Sequence, residues 1–406
     1  MLAYNLLYQH MYIIFPKCLF HYLSILWGSA ILHLAISVSN IVHFIFFVTF
    51  GYILTYYFNS MHIKRRITTE YVALPCITYL FLCEFLHPYT EDWVQARGVF
   101  MISAMKLMSL CFDLQHGHEI PSVSAYLGYI FCPGNVLFGP WIPYNEYASG
   151  VLQCRRRGFN YIVKLLWVFI LSFFFLIISN CWNVLVLPSE IDNRWILAYR
   201  RALSFRCSHY FISFLSEATM LCAGYSDDKH QESTWGYTIT RPSDTEFPSS
   251  LVNVVIGWNI PMHKFLKKYV YLELLKFGYF KAIFGTYFVS SLLHGFNLEI
   301  ATVLLTISLY SYVQLRLQEK LTTKFNACLR VRPCKECNHK FKRSNILVKL
   351  AHLFFAFVTV FDLIYLGVLM DSVGAEESPS IYEKWKELGF LSHWLMLGLY
   401  IITLLG

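Results

Sequence analysis

The chain has 406 residues, 56% of them hydrophobic and 18% aromatic but only 14% charged. Soluble domains carry about 25% charged residues, so this composition excludes a water-soluble protein of the same size. Apolar segments recur along the whole length, which points to one integral membrane unit spanning 1–406 rather than two or three soluble domains.

A helix that crosses a bilayer needs about 20 apolar residues. In chain order the candidate segments are 11–28, 30–58 (long enough for a tilted helix or a broken pair), 70–87, 98–113, 160–187, 207–224, 265–290, 296–315, 346–370 and 386–405. The expectation is an all-α polytopic protein of about nine to eleven spans. Polar connectors fall at 59–70, 88–97, 114–121, 225–250, 316–345 and 371–384, and neither an internal repeat nor a low-complexity tract is present. No basic stretch or small-residue cleavage site marks Met1 to Phe20, so the first apolar segment is expected to act as an uncleaved signal anchor.

Segment 122–150 breaks the pattern. Gly128, Pro133, Gly134, Gly139, Pro140 and Pro143 interrupt helical hydrogen bonding several times. Irregular backbone at membrane depth is tolerated only where protein or a water-filled cavity covers it. The segment therefore reads as a re-entrant element beside a central cavity, with a lumenal loop as the alternative.

The formal net charge of +8 is uneven. Nine basic residues lie between Arg316 and Arg343, against Glu319 and Glu336. Such a run can bind nucleic acid, but here it separates two long apolar stretches and reads as a cytosolic loop, 316–345, obeying the positive-inside bias. Anionic lipid or CoA phosphates would meet the same surface. Twelve cysteines are scattered, mostly in apolar segments, as packing residues. Cys328, Cys334, Cys337 and His339 stand apart, the last three spaced C-x-x-C-x-H. A zinc knuckle uses such residues, but the paired C-x-x-C signature is incomplete. No metal is assigned from the sequence, and lipidated or reduced cysteines are the favoured reading.

Ionisable or polar groups inside apolar spans are costly and point to function. His294 follows an apolar helix and precedes Gly295, with the largely apolar run 296–315 beyond it. That run covers about 30 Å as a helix, so a cytosolic basic loop places His294 deep in the membrane or toward the lumen. A hydrogen-bonded packing histidine is the competing reading. Asn259 precedes Pro261, which stops the preceding segment, and an amide at such a break is more often a cap than a catalytic group. Glu217 lies inside an apolar run and is expected to pair with Arg200, Arg201 or Arg206. Arg97, Lys106 and Asp113 mark the 98–113 segment.

Six blocks in order carry a resemblance. They are Arg97-Gly98 with Ala104-Met105-Lys106, Ser109-Leu110 and Phe112-Asp113; Tyr126-Leu127-Gly128-Tyr129; Phe138-Gly139-Pro140-Trp141-Ile142; Phe214 to Thr219; Trp258-Asn259-x-Pro261-Met262; and Thr286-Tyr287 through Ser290, Leu292, Leu293, His294 and Gly295 to Phe296. Together they resemble the membrane-bound O-acyltransferase family, over a core of roughly 90–315, and within it the members that acylate secreted Wnt proteins. The resemblance implies a fold of transmembrane helices and re-entrant elements around a central tunnel. It implies His294 as the catalytic histidine and Asn259 as the second signature residue. Trp258, Tyr287, Ser290 and Leu293 fall on positions on which activity depends. The implied donor is palmitoleoyl-CoA, a long-chain acyl-CoA, with no bound cofactor. The implied acceptor is a serine of a Wnt protein in the endoplasmic reticulum, with membrane lipids as surroundings and no nucleic acid.

The chemistry fits the residues. Serine is a poor nucleophile, and a neutral histidine is the usual base near neutral pH. No cysteine neighbours His294 in sequence, so direct transfer without an acyl-enzyme is the simpler scheme. Two other readings stay open: a sibling acyltransferase for a lipid alcohol or a protein amine, and a multi-pass transporter with a proton path through His294 and Glu217.

Overall fold

The computed structural model describes residues 1–14, 16–60, 68–86, 90–150, 159–186, 193–225, 237–295, 297–332, 334, 336–372 and 379–405. Helices dominate, and the β pairing found among the described residues is one isolated bridge between Ala327 and Phe341. In chain order the helices are α1 (Leu2–Ile14), α2 (Phe20–Ala35), α3 (Val38–Ser60), α4 (Thr68–Leu86), α5 (Glu91–Gln115), α6 (Val123–Ile130), α7 (Tyr144–Gly150) and α8 (Phe159–Ile177). A π-helical turn, Ile178–Trp182, leads into α9 (Asn183–Val186). There follow α10 (Arg194–Ala223), α11 (Pro242–Glu246), α12 (Leu251–Trp258), α13 (Ile260–Leu266), α14 (Leu272–Leu274) and α15 (Tyr279–Leu293). The chain closes with α16 (Leu298–Phe325), α17 (Ile346–Gly367), α18 (Ile381–Glu387) and α19 (Leu391–Leu405).

Short polar side chains set many of the boundaries by accepting the first unpaired N–H groups of a helix. Asn193 accepts from Trp195 N at 2.9 Å, Ser250 from Asn253 N at 3.2 Å, and Asn345 from Leu347 N at 2.9 Å. At the other end, α10 stops at Gly224, whose φ of +102° suits a residue without a side chain.

Five helical stretches are long and apolar enough to cross a bilayer: α3, α5, Phe159–Cys181, α16 and Ile346–Met370. The pair α18 and α19, bent by 80°, makes a sixth if taken as one span. Among the described residues, length and composition alone pick out fewer helices than the nine to eleven predicted segments, for reasons visible in the remaining ones. Helix α2 has 16 residues, about 24 Å of rise against a core of about 30 Å. Helix α4 carries Glu70, Pro75 and Glu84. Helix α10 starts far upstream of the predicted 207–224 and brings four arginines with it. The 265–290 segment is broken by a π-helical turn, Lys267–Tyr271, and by Gly278 at φ +111°.

Burial separates centre from perimeter. In α5, 78% of the apolar stretch is buried, against 17% in α8. Helix α5 is thus the shaft of the molecule, packed between α3 and α4, whereas α8 turns Ile162, Leu166, Trp167, Ile170, Phe173 and Phe174 outward. That outward face suits lipid and no aqueous surface. The largest apolar core joins α2, α3, α4, α5 and the 125–142 segment and reaches Leu293 beside the candidate site. A second core packs α16, α17 and α19 together.

Candidate active site

His294 stands where α15 ends. Gly295 leaves the helix with φ +75°, and Asn297 starts α16 by accepting from Ile300 N at 3.2 Å. The turn is pressed onto α4: a Cβ at Gly295 would lie 2.8 Å from the Glu84 Cβ and 3.2 Å from the Leu80 carbonyl oxygen. Glu84, itself buried, then ties α4, α5 and the start of α16 to one carboxylate. Its carboxylate accepts from Trp93 Nε1 at 2.6 Å, from Arg97 at 3.2 Å and from Asn297 Nδ2 at 3.2 Å. Phe296, inside the predicted motif, lies outside the described residues.

His294, Tyr287 and His209 each keep part of their surface accessible to solvent. Arg97 and His209 are both within electrostatic reach of the His294 ring. Ser290, one turn before His294, and Leu293, immediately before it, are buried. Ser290 supplies the carbonyl that accepts from His294 N at 3.4 Å, and Tyr287 lies beside Ser311 of α16.

The opposite wall comes from α10, α12 and α13. The imidazole of His209 lies flat on the Trp258 indole, with ring centroids 4.0 Å apart and planes 5° from parallel. Its Nε2 lies 2.9 Å from the Trp258 carbonyl oxygen and 3.3 Å from Ser213 Oγ. Asn259 is the break between α12 and α13, with extended backbone, and its Oδ1 accepts from Met262 N at 3.0 Å. Capping fixes the orientation of the amide, leaving Nδ2 as the group that can donate elsewhere. Lys268, one turn beyond α13, reaches Asp113 at 2.8 Å and so anchors this wall to α5.

The irregular segment forms a buried floor. Lys106, fully buried in α5, donates to the carbonyls of Tyr129 and Ile130 at 2.8 and 3.1 Å and to Asn135 Oδ1 at 2.8 Å. Ser216 donates to the Gly139 carbonyl at 2.7 Å and Thr219 to that of Gly134 at 2.8 Å. Tyr129 donates to the Ile142 carbonyl at 2.6 Å, and Trp141 Nε1 to Ser109 Oγ at 3.1 Å. Backbone acceptors that helix geometry would have satisfied are satisfied here by side chains. The polar residues Lys106 and Ser109 of α5 and Ser216 and Thr219 of α10 are thus structural partners of this segment.

One pairing differs from expectation. Glu217 meets Lys164 of α8 at 3.5 Å and accepts from Ile239 N at 3.4 Å, while Arg206 makes a two-pronged contact with Glu246 at 2.8 and 3.0 Å. Arg206 precedes Glu217 by three turns of one helix, about 16 Å, too far to reach it. His209 escaped the sequence reading because its partner is 49 positions away; Glu84 escaped because it sits within an apolar run whose partner Asn297 is 213 positions distant. Two open apolar grooves, of about 540 and 590 Å³, are lined respectively around Trp385 and around Phe138, and neither includes His294 or Asn259. Residues 226–236 of the 225–250 connector lie outside the described residues.

A model of the membrane-bound O-acyltransferase family matches residues 18–330. The chain is 33% identical to the protein-serine O-palmitoleoyltransferase porcupine of Anopheles gambiae, over 98% of this chain and 88% of that protein. It is 34% identical to the protein of the same name from Mus musculus, over 82% of this chain and 78% of the other. Lysophospholipid acyltransferase 2 of Arabidopsis thaliana is 22% identical over 68% of each chain.

Proposed function

The chain belongs to the membrane-bound O-acyltransferase family, and on that premise we propose that it transfers a palmitoleoyl group from palmitoleoyl-CoA to a serine of Wnt proteins in the endoplasmic reticulum. Support for a protein serine as acceptor comes from the activity for which the relatives at 33–34% identity are named. The Wnt acceptor and the lumenal setting rest on the resemblance of the six sequence blocks. The observation that carries a transferase reading is the half-buried imidazole of His294 on a turn fixed by Glu84.

In the proposed reaction the serine hydroxyl attacks the thioester carbonyl while His294 accepts its proton. The C–O bond forms, the C–S bond breaks, and the proton passes to the departing CoA thiolate. A positioned base contributes about 10²–10⁴-fold. Asn259 serves through Nδ2, aimed at the thioester oxygen as it gains charge, a contact worth about 3–4 kcal/mol where such donors operate. Trp258, backed by His209, together with Tyr287, Ser290 and Leu293 shapes the space around the acyl chain. The chain acts as a single integral-membrane domain with the core at 90–315. The basic stretch 316–345, which is the last turns of α16 and the connection after it, faces the cytosol, where CoA resides, and the acceptor approaches from the lumen.

Expression in cells lacking endogenous Wnt acylation, with an alkyne-bearing fatty acid as label, tests the reading. The wild-type chain is expected to label a Wnt protein, and His294→Ala to reduce labelling at least about 100-fold at equal protein level. Equal rescue by both forms removes His294 as the base. Transfer to lysophospholipids with no labelling of protein would assign the acceptor class of the more distant plant relatives instead.

A further inference from the structure

The connection between α16 and α17 folds into a small knuckle that the acyl-transfer chemistry does not use. Helix α16 ends at Asn326 in the left-handed conformation, φ +49°. Cys328 N then donates to the Phe341 carbonyl at 2.9 Å, and Phe341 N to the Asn326 carbonyl at 3.1 Å, closing a loop of some fifteen residues on itself. His352 of α17 holds the Cys328 carbonyl at 3.2 Å through Nε2. Ala327, Leu329 and Val348 are buried beneath the loop, with Leu321 and Phe341 against them.

Four ligand-type atoms converge inside this loop. The sulfurs of Cys328, Cys334 and Cys337 and a ring nitrogen of His339 all lie within 4.8 Å of one another. Cys328 Sγ is 3.8 Å from Cys334 Sγ, Cys334 Sγ is 3.8 Å from His339 Nδ1, and Cys337 Sγ is 3.4 Å from the same nitrogen. A disulfide needs sulfurs about 2.05 Å apart, so the cysteines are not bonded to one another. Around a tetrahedral zinc ion, with Zn–S about 2.3 Å and Zn–N about 2.0 Å, adjacent sulfurs stand about 3.8 Å apart and sulfur and nitrogen about 3.5 Å. The Cys328–Cys334 and Cys337–His339 separations fall on those edges, and the Cys334–His339 separation of 3.8 Å is slightly longer than its edge.

We propose that Cys328, Cys334, Cys337 and His339, the last through Nδ1, bind one structural zinc ion. Three thiolates and a neutral imidazole around Zn²⁺ leave a net charge of −1. Arg330, Arg332, Lys340, Lys342 and Arg343 belong to the same stretch, and their charge favours the thiolate forms. A closed four-ligand shell has no position for substrate, so the role is structural. The ion fastens α16 to α17 and holds Arg332 within electrostatic reach of His263, Tyr271 and Tyr279, the stretch that follows the Asn259 break. A reducing cytosol keeps such thiols available for metal.

The full-length chain, purified in detergent without chelators and without a polyhistidine tag, should contain about one zinc ion by elemental mass spectrometry. Its zinc absorption edge should report three sulfurs at about 2.3 Å and one nitrogen at about 2.0 Å. Cys334→Ser combined with Cys337→Ser is expected to lower zinc content at least about tenfold, ligand loss being that costly to a structural site. Should the double variant fail to fold, the absorption spectrum of the wild-type chain decides alone. Zinc content near zero in the wild-type chain, a shell without sulfur, a different metal at these sulfurs, or a hydroxylamine-sensitive fatty acyl group on Cys334 or Cys337 overturns the proposal.

Discussion

The carboxylate of Glu84 accepts a hydrogen bond from Asn297 Nδ2 at 3.2 Å, and Asn297 lies three residues past His294. Because Glu84 also receives Arg97 and Trp93, the placement of the imidazole is tied to α4 and α5 rather than to its own helix alone. Glu84→Gln keeps the shape but removes the charge opposite Arg97. Loss of one member of a buried pair costs about 3–5 kcal/mol. The expected outcome is a clear drop in the detergent melting temperature together with reduced acyl transfer, and a melting curve matching wild type would refute the role.

Asn259 offers a way to separate cap from catalyst. Asn259→Asp keeps an oxygen that can cap Met262 N but loses the Nδ2 donor, whereas Asn259→Ala loses both. The alanine form should lose about 1 kcal/mol of stability, and the aspartate form almost none. Acyl transfer should fall at least about 100-fold in both, in proportion to the loss of an oxyanion donor. Full activity in the aspartate form would reduce Asn259 to a helix cap.

The His209 and Trp258 stack is expected to matter for the shape of the pocket more than for proton transfer. His209→Phe retains a flat ring over the indole, while His209→Ala opens a gap and leaves the indole loose. Labelling by the phenylalanine form should exceed that of the alanine form by about tenfold, the equivalent of about 1.4 kcal/mol. The reverse order, with both near the level of His294→Ala, would give His209 a share in moving the proton.

Lys106→Met tests the buried floor. The methionine fills similar space but leaves three acceptors without a donor, each costing about 1–3 kcal/mol. Low yield and a lowered melting temperature are expected, with little effect from exposed changes such as Lys349→Met. Normal stability would mean that the 129–135 segment does not depend on this ammonium.

Much of this arrangement was legible in the sequence where the signal is local. The glycines and prolines of 122–150 announced irregular backbone, and two short helices separated by turns stand there. Pro261 and Asn259 marked a helix break with an amide cap, which is what the chain does. Pairings across the chain were not legible. Glu84 reads as an isolated charge until α16 folds back on α4, and His209 reads as one of fifteen histidines until Trp258 lies over it. Hydropathy averages over breaks that backbone geometry respects, as at Gly278, so predicted segments and helices do not share their boundaries. The convergence of the cysteine cluster was not legible either: Cys328 is brought to Cys334, Cys337 and His339 by backbone pairing with Phe341, which no spacing rule encodes.

The buried ammonium of α5 carries a consequence for biogenesis. Lys106 leaves the ribosome before its acceptors at 129, 130 and 135, so during that interval α5 holds a cation with no partner. Insertion of such a charge at mid-helix is disfavoured by about 2.5–3.5 kcal/mol. Helix α5 should therefore wait beside the translocation channel until the downstream segment emerges and the two enter as one hairpin. Released chains truncated after residue 120 should leave Cys111 open to water-soluble alkylating reagents, and released chains truncated after residue 150 should protect it. The order of synthesis thus sets the order of assembly, and the innermost helix is among those that cannot settle alone.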